Sequence, residues 1–364
     1  MEKINWWNTN LDSKELKSIS DAFNTRQIGM GEITKKVEKV ISKKLNIPYV
    51  ILCSNGSSAL FMSLKVLGIK EGDEVILPDR TFIAAAHAVK LTGAKVVLVD
   101  SNKKNTNINI NQIEKAITKN TKAIIPVHLN GRAVSLVKIN KLAKKYDLHV
   151  IEDACQSLFS KNKNDEYLGT LSNIGCYSLG LAKLVTMGFG GFAVCKEESL
   201  YKKIINFRNH GRSHNSHSDF NELGFNFKIS DLMSAMAKVQ LSKSNEKIEH
   251  ILKIYNLYKK GLKNLDFIKL IKVNTKKGEL PLYVEVRSKE RKKIINYLSS
   301  LNIETQLLPP SLHLSSHLKN TRPLKEFKNS LRFNQESFIL PCGPNQSIKN
   351  IKKTITALNS YEKH

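Results

Sequence analysis

Three short stretches of this 364-residue chain carry side chains able to do chemistry. In Tyr177-Ser178-Leu179-Gly180-Leu181-Ala182-Lys183-Leu184-Val185-Thr186-Met187-Gly188-Phe189-Gly190-Gly191 one lysine, Lys183, stands among apolar and small residues. Such surroundings strip water from an ammonium and lower its pKa, making Lys183 a candidate nucleophile toward a carbonyl carbon. Taken alone, the stretch also fits a surface lysine whose stem lies along apolar neighbours. In Ile151-Glu152-Asp153-Ala154-Cys155-Gln156 a hydrophobic run delivers two carboxylates, and burying either is costly without a cation. One of the two acids could cap a helix instead. In Ser54-Asn55-Gly56-Ser57-Ser58, free backbone N–H groups, hydroxyls and a helix dipole make an anion site, although Ser and Gly at a helix start are more often a cap alone.

Together the three stretches supply an anion cradle, a carboxylate and a desolvated amine. Pyridoxal phosphate needs those three groups: its phosphate must be gripped, its pyridine nitrogen kept protonated and its aldehyde held by an amine.

The elements that must position these residues are legible as alternating patterns. Short β-branched runs at 49–53, 74–77, 95–99, 122–127, 149–152, 176–179 and 191–194 predict strands. Between most of them lie stretches with apolar residues three and four apart, at 58–67, 82–91, 112–117, 135–146 and 200–207. The alternation predicts an α/β fold with a mixed, mostly parallel sheet covered on both faces by helices. Each chemical stretch follows a strand, where open α/β sheets hold their ligands. Beyond about residue 230 a long helical segment through Leu252 and Leu257 leads into a mixed pattern. We therefore expect a large domain over 1–240 and a smaller α+β domain over 241–364. The polar stretch from Arg212 to Asp219, with His214 and His217, is expected as a mobile loop.

Composition narrows the function classes. Hydrophobic residues make up 41% and charged residues 25%, as in an ordinary globular protein, and no apolar run is long enough to span a bilayer. The net charge of +26 is carried by lysine pairs dispersed along the whole chain, which predicts a solvated basic surface; a nucleic-acid-binding protein is the non-enzyme alternative. The five cysteines, Cys53, Cys155, Cys176, Cys195 and Cys342, have no C-x-x-C spacing and read as reduced thiols of a cytoplasmic protein, and the N-terminal residues show no secretory leader. There is no Walker A sequence and no H-E-x-x-H, and no metal is expected. Gly29-Met30-Gly31 is only part of a dinucleotide fingerprint and follows no strand.

The ordered set N-G-S-S-A-L, P-D-R-T-F, P-V-H-L-N-G, E-D-A-C-Q, Y-S-L-G-L-A-K-L-V-T-M-G-F-G-G, R-N-H-G-R and L-G-F-N-F-K-I-S-D-L resembles the DegT-type (DegT/DnrJ/EryC/StrS) sugar aminotransferases. These are fold-type I, aspartate-aminotransferase-like pyridoxal phosphate enzymes. The resemblance runs from about Gly29 to Gln240 and more weakly to the end. It implies that Lys183 binds the cofactor covalently, that Asp153 holds the pyridine nitrogen and that Gln156 lies near the phenolic oxygen. It also implies that Gly56, Ser57 and Ser178 bind the phosphate, that Phe82 stacks on the ring, and that Asn226 reaches the phosphate of a partner subunit in a homodimer with shared active sites. Lys228 and Arg212 are candidate contacts for a diphosphate-linked substrate.

The implied reaction moves an amino group from L-glutamate to a nucleotide-linked keto sugar. The glycine pair at the seventh and eighth positions after Lys183 resembles the branch that aminates C4 of 4-keto-6-deoxy sugars. The alternatives are a 3-keto sugar or a cyclitol ketone (inosose) as acceptor, or a sugar dehydratase, whose members carry histidine in place of the lysine. The chain departs from the family pattern at Phe189, commonly acidic, at Ala154-Cys155 and at the bulky Leu158-Phe159.

Overall fold

The computed structural model describes residues 2–26, 28–212, 220, 222–318 and 322–361. The two histidines of the expected mobile loop lie outside the described residues. The seven expected strands form at β1 (Tyr49–Cys53), β2 (Glu74–Pro78), β3 (Lys95–Val99), β4 (Thr121–Ile124), β5 (His149–Asp153), β6 (Ile174–Ser178) and β7 (Gly191–Cys195). They make one sheet of order β1-β7-β6-β5-β4-β2-β3. Pairing is parallel from β6 through β5, β4 and β2 to β3, while β7 runs antiparallel to both neighbours. Every residue of β2 and β7 is buried, as continuous apolar runs covered on both faces require.

Helices α1 (Ser13–Asn24), α2 (Glu32–Leu45), α3 (Gly56–Val66), α4 (Ala84–Leu91), α5 (Ile110–Ala116), α6 (Leu136–Tyr146) and α7 (Glu198–Arg208) accompany this sheet. Two boundaries differ from expectation in ways that matter. Helix α3 starts at Gly56 instead of Ser58, because the Asn55 side chain accepts the Ser58 N–H at 2.8 Å and caps the helix early. Helix α4 starts only at Ala84, which leaves Phe82 in the preceding turn. The Gly29–Gly31 stretch precedes α2, and there the Asp231 carboxylate accepts the N–H groups of Gly31, Ile33 and Thr34 at 2.9–3.0 Å. The anion position of that helix is thus filled by the chain's own carboxylate.

After α8 (Asp231–Ser242) and α9 (Ser244–Gly261), an antiparallel sheet of order β10-β11-β9-β8 forms from β8 (Lys269–Leu270), β9 (Val284–Arg287), β10 (Gln306–Leu307) and β11 (Ser337–Leu340). One apolar cluster joins the two sheets, with Tyr177, Leu179 and Phe192 on one side and Val284, Val286, Phe338 and Leu340 on the other. The N-terminal segment crosses to the small sheet's side, pairing Ile4 with Ile303 and Trp7 with Cys342.

The turn Asn130-Gly131-Arg132 fastens the sheets with polar bonds. Asn130 and Gly131 both have positive φ, 53° and 75°. A Cβ at Gly131 would lie 1.8 Å from the Leu280 carbonyl oxygen, so only glycine fits. The Asn130 side chain donates to the Tyr283 carbonyl at 2.9 Å and accepts the Tyr283 N–H at 2.6 Å. Fully buried, Arg132 reaches Glu285 at 2.7 Å and the carbonyls of Ile271 and Lys272 at 3.2 and 3.1 Å.

A second polar chain lies behind Lys183. Buried Lys247 donates to the Leu184 carbonyl at 3.3 Å and to the Gln240 side-chain oxygen, while the Gln240 amide donates to Glu15 at 2.7 Å. Burial lowers the Lys247 pKa to about 8 from an ordinary 10.5, with Glu15 and Glu246 pulling upward and Lys243 downward. The cost of holding this ammonium is fully present below pH 8 and is relieved as pH rises toward 10.5. Urea unfolding should therefore show wild type gaining up to about 3 kcal/mol relative to Lys247→Met between pH 7.5 and 10.5. A constant difference between the two proteins across that range would contradict the assignment.

Candidate active site

The carboxyl ends of β1, β2, β5 and β6 converge on a cavity of about 760 Å³. Seven of the expected site residues line it together: Gly56, Ser57, Phe82, Asp153, Gln156, Ser178 and Lys183. Each arrives for a local reason. The first amides of α3, at Gly56 and Ser57, have no acceptor among the described residues, because the Asn55 cap serves only Ser58. A Cβ at Gly56 would meet Cys155 Sγ at 2.7 Å and Ser178 Cβ at 3.1 Å, so the bare backbone is what keeps this cradle open. Gly191 at the start of β7 does the same from the other side, where a Cβ would lie 2.5 Å from the Gly56 nitrogen.

The two carboxylates ending β5 divide their work. Glu152 is fully buried and structural: it pairs with His128 Nε2 at 2.9 Å and accepts the N–H groups of Gly169 and Leu171 at 2.8 and 2.7 Å. It caps no helix. Asp153 turns to the cavity, where the Cys155 N–H donates to it at 3.0 Å. Burial raises the Asp153 pKa, only partly offset by Cys155 and by the charges of Lys183 and His128. Among the described residues no cation lies within 4.0 Å of this carboxylate as an ion-pair partner, and a protonated ring nitrogen is the group that would complete it. The Gln156 side-chain oxygen is occupied by the Asn130 N–H at 2.9 Å, so its NH₂ remains to donate toward the cavity. These features fit pyridoxal phosphate: amides and the Ser178 hydroxyl for the phosphate, Asp153 for the ring nitrogen, Gln156 for the phenolic oxygen, and Lys183 for the aldehyde carbon.

The expected depression of Lys183 is reversed. Burial does disfavour its charge, but Tyr283, Cys155 and Asp153 together outweigh burial and raise its pKa above the ordinary lysine value. Tyr283 donates its hydroxyl to the Ala182 carbonyl at 3.0 Å, which turns the phenolic oxygen into an acceptor beside the Lys183 amine. Cys155 is half-buried on the cavity wall, whereas the other four cysteines are buried; all five are free thiols. Asn226, Lys228 and Arg212 do not line the cavity of their own chain. The Phe227 carbonyl accepts the Ser54 N–H at 3.0 Å, which sets Asn226 and Lys228 beside the cradle, while Arg212 lies over the Phe220 ring. Among the described residues no group of three or more His, Cys, Asp or Glu could hold a metal ion, and no helix is long and apolar enough to cross a membrane.

Sequence reasoning missed Tyr283 and Trp6, whose stretches carry no chemical pattern. It also missed the work of Asp79 in P-D-R-T-F. Asp79 holds both the Nδ1 and the backbone N–H of buried His313 at 2.7 Å, and Arg80 donates to the Pro309 carbonyl. The turn that carries Phe82 is thereby tied to the 307–310 wall of the same cavity.

The sequence matches the DegT/DnrJ/EryC1/StrS aminotransferase family over residues 9–359. The chain belongs to that family. It is therefore an aminotransferase, with a fold-type I architecture. It is 31% identical over 310 residues to the GDP-perosamine synthase of Escherichia coli O157:H7, covering 84% of each chain. It is also 31% identical over 327 residues to the dTDP-3-amino-3,6-dideoxy-alpha-D-galactopyranose transaminase of Aneurinibacillus thermoaerophilus, covering 89% of this chain and 88% of that one. The crystal structure of S. venezuelae DesV shares the fold, with a TM-score of 0.94, 23% identity and complete coverage of both chains.

The Lys183 environment makes a direct prediction. In cofactor-free protein, Tyr283→Phe removes the strongest of the groups that raise the amine's pKa, so its titration should move to lower pH. Peptide mass spectrometry of Lys183 labelled by an amine reagent across pH reads this; an unmoved profile would remove Tyr283 from the role.

Proposed function

We propose that this aminotransferase moves an amino group from L-glutamate to C4 of a nucleotide-linked 4-keto-6-deoxy sugar, with pyridoxal 5′-phosphate as its cofactor. The observation that carries the proposal is the meeting of the Lys183 amine, the Asp153 carboxylate and the Gly56 and Ser57 amides on one cavity. When bound, the cofactor supplies a pyridinium ring that accepts the electron pair left as a proton leaves the donor's α-carbon. In this proposal the Gly56 and Ser57 amides and the Ser178 hydroxyl grip the phosphate. Asp153 keeps the ring nitrogen protonated, Gln156 donates to the phenolic oxygen and Phe82 covers one face of the ring. The Lys183 amine binds the aldehyde carbon in the resting enzyme. Displaced by the donor, it takes the α-proton and returns it to the carbon that becomes the amine-bearing one. Residues 1–240 form the cofactor-binding domain, residues 241–364 the smaller domain, and the enzyme works in the cytoplasm.

Charge supports a homodimer. Among the described residues Lys183 is the one cation lining the cavity, yet glutamate has two carboxylates and a nucleotide-linked sugar a diphosphate. Asn226, Lys228 and Arg212 of a second copy would supply the missing donors. Exposed Leu181, Phe189, Phe220, Leu223 and Phe225, each more than 60% accessible in the single chain, are the apolar surface for that contact. The names of the two relatives support a nucleotide-linked substrate. The glycine pair Gly190-Gly191 favours C4, whereas the 3-amino name of the Aneurinibacillus relative favours C3 as the second reading.

Incubating ¹⁵N-glutamate with 4-keto, 3-keto and inosose acceptors, then locating the new C–N bond by NMR, should find nitrogen at C4. Nitrogen at C3, or turnover of the inosose alone, would refute the position. Borohydride added to the same preparation should bleach its yellow colour and fix the cofactor on Lys183 by peptide mapping.

The shared site is checked separately. Inactive Lys183→Ala and inactive Asn226→Ala subunits, once exchanged, should regain activity in mixed dimers, since one of the two sites then has both groups intact. Absence of recovery despite demonstrated exchange would confine each site to one chain.

A further inference from the structure

Outside the groups assigned above, the cavity wall carries the polar Thr81 and Gln306 and an apolar stretch made by Trp6 from the N-terminal segment, Phe189, and Leu307 through Pro310. Trp6 is held there firmly. Its backbone N–H donates to Glu304 at 3.1 Å and its backbone carbonyl accepts the Cys342 N–H at 2.8 Å, between the bridges at Ile4 and Trp7. Its ring packs on Tyr283, with centroids 6.2 Å apart and planes at 51°, and the Tyr283 hydroxyl lies beside the Lys183 amine. The neighbouring Trp7 uses its indole N–H on Thr9 at 2.8 Å. Trp6 is half-buried, and its indole N–H has no hydrogen-bond partner among the described residues.

An indole at this position has little to offer glutamate, an acyclic molecule whose two ends are charged. A hexose ring is different: its axial C–H bonds and a 6-deoxy methyl group make an apolar face, and its hydroxyls accept hydrogen bonds. We propose that Trp6 is a specificity-determining residue for the acceptor, its ring carrying the apolar face of the keto sugar against the Leu307–Pro310 wall and its N–H serving a sugar oxygen. This rests on the sugar aminotransferase assignment above. It concerns the second half of the reaction, and the donor half is indifferent to it.

Steady-state kinetics with both substrates varied separate the halves. Trp6→Ala should raise KM for the keto sugar by about ten-fold or more while KM for glutamate moves less than about three-fold, and Trp6→Phe should recover most of the loss because a ring remains. The chain has two tryptophans, so Trp7→Phe leaves Trp6 as the only indole fluorophore. In that variant without cofactor, a dTDP- or GDP-linked 6-deoxyhexose should change the emission, and free glutamate should not. Equal rises in both KM values, an unaltered sugar KM, or silent fluorescence with a sugar that wild type converts overturns the role of Trp6 alone. If wild type converts no keto sugar, the substrate class itself fails, and the role of Trp6 fails with it.

Discussion

The buried amide pair between Asn130 and the backbone of Tyr283 sets how closely the small sheet approaches the large one. Everything at the reactive lysine is referenced to it. Because Asn130 satisfies both the N–H and the carbonyl of Tyr283, the backbone there has no freedom to slide, and buried Arg132 locks the same turn to Glu285 and two carbonyls. The phenol is thereby delivered to the Ala182 carbonyl and the Lys183 amine, and the Asn130 N–H orients Gln156 from its other side. One three-residue turn thus positions groups on two walls of the cavity. Its geometry depends on left-handed backbone at Asn130 and Gly131, a conformation that asparagine and glycine adopt at least cost.

The site's electrostatics follow from what each group lacks. Asp153 is buried with one backbone donor, the first amides of α3 have no acceptor among the described residues, and the Gln156 oxygen is already taken. Each deficit is complementary to a different edge of one planar, anionic, heterocyclic molecule. Lys183 is held in its charged form more firmly than a free lysine, so in the proposed reaction its activation as a base has to come from the charge redistribution that follows loading of the site.

What the sequence makes legible is the part of the site built by local rules. Strand ends, the Asn55 cap, and the glycines that keep Cβ atoms out of the cradle are encoded within a few residues of one another, so Gly56, Asp153, Ser178 and Lys183 can be found by inspection. The divided work of Glu152 and Asp153 cannot, since it depends on His128 and on the amides of Gly169 and Leu171 across the fold. Tyr283 and Trp6 are silent for the same reason: each acts through a contact with a segment roughly 100 or more residues away. The direction of the Lys183 shift is hidden from the sequence, because apolar neighbours announce burial but say nothing of a phenol, a thiol and a carboxylate arriving from elsewhere.

The pairing of Ile4 with Ile303 and of Trp7 with Cys342 has a temporal meaning. On a ribosome Trp6 is made before the partners that seat it, which emerge only after roughly 300 more residues have been joined. The strands of the large sheet are all made by Cys195, with the first amides of α3 and Asp153 among the residues already joined. The proposed anchoring points of the cofactor are therefore made well before the wall that Trp6 contributes is complete. Vectorial synthesis thus makes the floor of the cavity before the segments that seat the earlier-made Trp6 in its wall.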